Sequence, residues 1–213
     1  NYSKMRKFVA NSFWLSFIIA VILTVLTLIF TRPLLELMKT PDDIIQQAYE
    51  YLFMIFAGLA VTIFYNLLAS ILRALGDSRS PLIFLGIASV INIILDYVFI
   101  KFFNMGVAGA GLATVIAQGI STVLCFIYMR KKFDILSFEK DELAFSIKDS
   151  GKLMSIGVPM ALQYSITAIG SITLQTAINN LGTVYVAAVT AAQKIQMIAQ
   201  GPMECLGTAM ATY

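Results

Sequence analysis

Six runs of 20 or more largely apolar residues divide the chain, at roughly 8–30, 51–72, 82–103, 107–129, 156–179 and from 184 onward. Such a run is too long for an ordinary core strand and matches the ~20 residues an α-helix needs to cross a bilayer. The runs lack the two-residue alternation of barrel strands, and backbone facing lipid must satisfy its own hydrogen bonds, so each is predicted as a transmembrane helix. The expected fold class is an all-α polytopic membrane protein. Composition agrees: 59% of the residues are hydrophobic and 13% are charged, where a soluble domain carries about 25% charged residues. The absence of histidine excludes imidazole acid–base chemistry, His-metal sites and Ser–His–Asp triads. Cys125 and Cys205 form neither a zinc nor a disulfide pattern. A soluble enzyme is ruled out, and an intramembrane one would need paired catalytic groups that the sequence does not offer.

Breakers punctuate the runs at Arg32-Pro33, at Gly76-Asp77 followed by Pro81, at Asn104-Met105-Gly106 and at Leu181-Gly182. Thr40-Pro41-Asp42-Asp43 reads as a helix start, with a capping threonine, proline at the first helical position and two acids at the positive dipole end. The one long connection divides the chain into a first bundle, 1–129, a linker, 130–155, and the opening helices of a second bundle, 156–213. Within the linker, 143–154 mixes apolar residues with Lys148, Asp149 and Lys152, as a helix lying along the membrane surface would. Counted over alternate loops, one side of the membrane receives eleven Lys and Arg residues and the other three. That bias places the chain start and the 130–155 linker in the cytoplasm, with the plasma membrane as the expected location. The basic residues flank spans, so no nucleic-acid partner is expected. The chain opens at Asn1 without a signal-peptide pattern and stops inside an apolar stretch, so it is read as an internal piece of a longer polypeptide.

Inside the spans, three full charges stand out: Asp96, Lys194 and Glu204. A charge at mid-bilayer costs about 2.5–3.5 kcal/mol on insertion scales, so it is a functional candidate by default. Asn92 lies four residues before Asp96, on the same helical face. If spans three and four form a hairpin centred on Met105, Thr114 and Asp96 are equidistant from its turn. The same count about Arg79 pairs Asn92 with Asn66. A carboxylate with two amide oxygens and a hydroxyl suits a hard cation such as Na⁺, on Asp96, Asn92 and Thr114, or a carboxyl that cycles through protonation. The alternative is polar glue between helices, which Asn66 and Thr114 fit well but which needs no charge at Asp96.

The fifth span carries Gln163, Thr167, Ser171, Gln175 and Asn179 at four-residue intervals, and the sixth carries Gln193, Gln196, Gln200, Glu204 and Thr208. Such stripes face either a water-filled substrate cavity or each other. Gly106, Gly109 and Gly111 have the spacing of a nucleotide fingerprint but follow a helix, so close helix packing is the better reading.

The stretch Arg73-Ala-Leu-Gly-Asp77-x-x-x-Pro81, then Asn92-x-x-x-Asp96, then Gly106-Val-Ala-Gly-Ala-Gly-Leu-Ala-Thr114, resembles the MATE (multidrug and toxic compound extrusion) family. Leu181-Gly182 followed by Val186-Ala-Ala fits the same family. The resemblance implies helices three to eight of a twelve-helix, two-lobe antiporter. It also implies an amino-lobe cation site on Asn92, Asp96 and Thr114, with Asn66 in support. The acid that the family adds from its first helix lies outside this chain. Thr167 stands where norfloxacin-exporter-type members carry glutamate, which favours the DNA-damage-inducible, DinF-like branch. The implied function is Na⁺- or H⁺-coupled export of small organic, cationic or amphipathic compounds by alternating access. No cofactor is expected beyond the coupling ion. Membrane lipid and the rest of the same polypeptide are the expected partners. The alternative, a lipid-linked polysaccharide exporter or flippase of similar plan, would want an Arg/Lys-lined cavity, and the spans hold one lysine.

Overall fold

The structure, a computed structural model, describes residues 2–37, 42–133, 144–179 and 183–212. Its helices are α1 (Tyr2–Leu37), α2 (Asp42–Ala57), α3 (Leu59–Ala74), α4 (Arg79–Lys101), α5 (Gly106–Lys132), α6 (Ile147–Asn179) and α7 (Thr183–Thr212), with no strand among the described residues. Four of them, α1, α4, α5 and α6, are each long and apolar enough to cross a membrane, and α2 with α3 make a fifth, bent span. α7 has the length, at 30 residues, and carries Gln193, Gln196, Gln200 and Glu204 along it.

Two of the expected boundaries differ. Arg32-Pro33 does not end the first helix, because α1 continues through Pro33 to Leu37. Proline removes one amide from the ladder without forbidding a helix. The Thr27 hydroxyl donates to the Leu23 carbonyl at 2.7 Å and Thr31 donates to the Thr27 carbonyl, while Arg32 and Glu36 pair at 3.5 Å across the proline. The second run is also not one helix. It breaks at Gly58, where α2 and α3 meet at 45°. A Cβ on Gly58 would lie 2.2 Å from Val115 Cγ2 of α5, so only glycine lets the bend sit this close to its neighbour. Thr40-Pro41 and Leu181-Gly182 lie outside the described residues. The segment 147–154 is helical and forms the first turns of the 33-residue α6.

The chain divides into two compact units, Asn1–Leu153 and Met154–Tyr213. In the first, α5 packs against α2, α3 and α4. Its buried face reads Gly109, Ala113, Ala117, Ser121, Cys125, Met129, one residue every four. Small residues at that interval let helix backbones approach closely. At Gly111 a Cβ would lie 2.8 Å from the Met54 side chain and 3.2 Å from the Tyr51 carbonyl. Tyr65, Leu68 and Leu72 of α3 complete a core with Cys125 and Met129, and the buried Tyr65 hydroxyl donates to the Pro81 carbonyl at 3.0 Å.

The turn joining α3 to α4 is built on Gly76, at φ +86°, and on the Asp77 carboxylate. Asp77 Oδ1 accepts the Ser80 amide at 3.0 Å, and Oδ2 accepts the Tyr128 hydroxyl at 2.7 Å and Lys132 Nζ at 2.8 Å. Lys132 first, then the Ser80 amide and Tyr128, hold this carboxyl well below the usual carboxylate range. In the second unit almost every described side chain is exposed, Ile178 being an exception.

Candidate ion and substrate site

The α4–α5 hairpin positions the polar residues. Its turn uses two left-handed residues, Asn104 at φ +50° and Gly106 at φ +55°. The helix ends at Lys101 and Gly106 place the midpoint between Phe103 and Asn104, not at Met105. Asn92 and Thr114 then stand at nearly equal depth, and they meet. Asn92 Nδ2 donates to Thr114 Oγ1 at 3.4 Å. The Thr114 proton is used on the Ala110 carbonyl at 2.9 Å, so toward Asn92 the hydroxyl acts as acceptor. Together they line a cleft of about 160 Å³ with Ala88, Ser89, Ala117 and Gln118.

Ser89 and Gln118 were missed in the sequence. The signal was there, since Ser89 is three residues before Asn92 and Gln118 four after Thr114, which puts each on its partner's helical face.

Asp96 lies one turn from Asn92 toward the hairpin end and is half-buried. Its Oδ1 is sealed from solvent with no hydrogen-bond partner among the described residues. It is not among the residues lining the cleft. Asn66 is exposed on α3 and is also absent from that lining. α4 packs chiefly on α5 and little on α3, so counting about the α3–α4 turn does not bring Asn66 to Asn92. Among the described residues no three His, Cys, Asp or Glu side chains gather. An ion in the cleft would meet the neutral oxygens of Ser89, Asn92, Thr114 and Gln118, with the Asp96 carboxylate outside its lining.

On α6, Gln163, Thr167 and Ser171 are exposed, and two of the hydroxyls fold back on their own helix. Thr167 donates to the Gln163 carbonyl and Ser171 to the Thr167 carbonyl, each at 3.0 Å. Gln196, Gln200 and Glu204 of α7 are exposed too. The two stripes are therefore not sealed against each other. The side chain of Gln175 lies outside the described residues.

Residues 1–98 match the family model described as MatE. The probable multidrug resistance protein YpnP of Bacillus subtilis (strain 168) is 34% identical over 181 residues, covering 83% of this chain and 39% of that protein. The chain belongs to the MATE family. The probable multidrug resistance protein YoeA of the same organism is 27% identical, covering 100% of this chain and 48% of its own length. A crystal structure of MATE in the bent conformation superposes with a TM-score of 0.86 at 25% identity, over 96% of this chain and 46% of that one. The chain thus spans less than half the length of the MATE relatives it matches. MATE transporters are twelve-helix, two-lobe, multi-pass membrane proteins, and this chain carries part of that architecture.

Proposed function

We propose that the whole protein is a secondary active multidrug exporter of the DinF-like branch, driven by Na⁺ or H⁺ entry, and that Asp96 binds the coupling ion. One observation carries the proposal: the Asp96 Oδ1 atom is sealed from solvent with no hydrogen-bond partner among the described residues. A buried polar atom left unpaired is costly, and native proteins tolerate it where a ligand or proton comes and goes. Asn92 and Thr114 complete the ion's shell, and Asn66, which packing leaves apart on α3, drops out of it. The exposed residues Gln163, Thr167 and Ser171 of α6 and Gln196, Gln200 and Glu204 of α7, together with Gln175, line the path of small organic, cationic or amphipathic substrates. The similarity to YpnP and YoeA, both probable multidrug resistance proteins, supports the substrate class. In this reading 1–129 belongs to the amino lobe, 130–155 is the cytoplasmic connection and 156–213 opens the carboxy lobe. The two lobes exchange inward- and outward-facing states by rocking.

The test is efflux of a fluorescent organic cation by the full-length protein in proteoliposomes under an imposed Na⁺ or H⁺ gradient. At least one gradient should drive export, and collapsing it should stop export. Efflux indifferent to both ions would overturn the reading.

A further inference from the structure

One side chain ties the start of α6 to α1. Asn11 is fully buried, at 0% exposure, in a helix that is otherwise mostly apolar. Its Oδ1 accepts the Ser146 backbone amide at 2.8 Å and the Ser150 hydroxyl at 3.1 Å, and its Nδ2 donates to the Lys7 carbonyl at 2.8 Å. A backbone N–H can only donate and a carbonyl can only accept, so these partners fix which end of the amide is oxygen. Ser146 is also the cap of α6. Its Oγ accepts the Asp149 amide at 3.3 Å and its carbonyl accepts the Ser150 amide at 2.9 Å. Lys152 Nζ lies 5.9 Å from the centre of the Phe8 ring, one turn along α1 from Asn11. The first turns of α6 therefore travel with α1, and the first compact unit extends through them to Leu153.

We propose that Asn11 is a positioning residue for transport, its amide pinning the N-terminus of α6 to α1 so that movement of α1 is passed directly into α6. The proposal rests on the exporter reading above. A helix attached to its bundle only through the preceding chain would let that chain absorb a displacement. A helix pinned at its cap moves with its anchor. An apolar contact at residue 11 would bury as much surface, but apolar surfaces slide past one another. An amide that meets two specific donors fixes register, and breaking it leaves both donors unpaired.

The test uses the full-length protein with Asn11→Leu, which keeps the branched framework and removes the bonds. Hydrogen exchange of the 146–150 amides should accelerate about tenfold, with the rest of the first unit unchanged. Insertion and abundance should hold, the substrate KM should stay put, and the maximal export rate should fall about tenfold. Ser150→Ala, which removes one of the two bonds to Oδ1, should give an intermediate result in both readouts, and it decides the matter if Asn11→Leu does not fold. Unchanged exchange at 146–150 would show that there is no pin. Faster exchange with a wild-type maximal rate would reduce Asn11 to helix glue, and either result overturns the proposal. If the wild type itself exports nothing, the exporter reading fails, while the exchange measurement still reads the pin.

Discussion

The α4–α5 hairpin and the α6–α7 pair carry similar polar residues and treat them in opposite ways. On the hairpin, Asn92 crosses to a neighbouring helix to reach Thr114, and Asp96 Oδ1 is shut away from solvent. On α6, Thr167 and Ser171 turn back to carbonyls of their own helix and the stripe is exposed. The difference follows from packing. α5 presents Gly109, Ala113 and Ala117, and that small-residue face brings a partner helix within reach of a short side chain. A Cβ on Gly151, Gly157 or Gly170 of α6 would meet nothing within 4 Å among the described residues. A polar residue becomes part of a site when the helix beside it is close enough to share it, and a periodic stripe alone does not ensure that.

The change with the largest expected effect on this contrast is Asp96→Asn in the full-length protein. It should abolish ion-coupled export in proteoliposomes while leaving insertion and abundance intact. Asn retains the size and hydrogen-bonding reach needed for glue, worth about 0.6–2 kcal/mol between helices. It lacks the charge through which an ion distinguishes two conformations. Retained ion dependence would return Asp96 to a packing role and remove the distinction between the two regions.

Next comes Gly111→Leu, which should destabilise the protein by about 1–3 kcal/mol in detergent melting, because even its Cβ meets Met54 and the Tyr51 carbonyl. Gly157→Ala on α6 should be neutral or stabilise by up to ~1 kcal/mol, since alanine favours the helix and meets nothing. A cost at Gly157 equal to that at Gly111 would show the two regions to be equally packed in the whole protein.

Asn92→Ala and Thr114→Ala should each raise the ion concentration for half-maximal export by about three- to tenfold, the scale of one hydrogen bond. Thr167→Ala, whose hydroxyl serves only its own helix, should leave ion dependence within about twofold and change the relative rates of different substrates instead.

The smallest effect belongs to the Asp77 turn. Lys132, Ser80 and Tyr128 depress the folded-state pKa of Asp77. The contribution is therefore complete above the unfolded value, about 3.9, and is lost only as pH falls further, through the depressed folded value. Wild type should melt higher than Asp77→Asn at pH 7 and at pH 5, and the gap should close only under stronger acid. A gap that closes between pH 7 and 5 would place the cause elsewhere.

Much of this was legible in the residues themselves. Hydropathy alone located helices at all six apolar runs, because a span must satisfy its backbone internally and that requirement is written in length and composition. The family resemblance rested on Arg73 to Thr114 and agrees with the MatE match over 1–98. Charge in an apolar run singled out Asp96 with no structure needed. Depth was less legible. Counting from Met105 set Thr114 level with Asp96, whereas the helix ends put it beside Asn92, because α4 already stops at Lys101 and the turn is centred before Met105. The break at Gly58 and the exposure of Asn66 were also out of reach, since both depend on which helix lies alongside.

The sequence by itself determined that this chain is helical, spans a membrane and carries an acid where lipid would penalise one. These are properties of each segment in its solvent, and each segment states them alone. Tertiary structure decided which polar groups meet: Asn92 with Thr114, Asp77 with Lys132 and Tyr128, Asn11 with Ser146 and Ser150. Those partners lie 22 to 139 residues apart, and a hydrogen bond depends on positions resolved to a fraction of an ångström. No periodicity along one helix encodes that distance; it is set by how closely two backbones can approach.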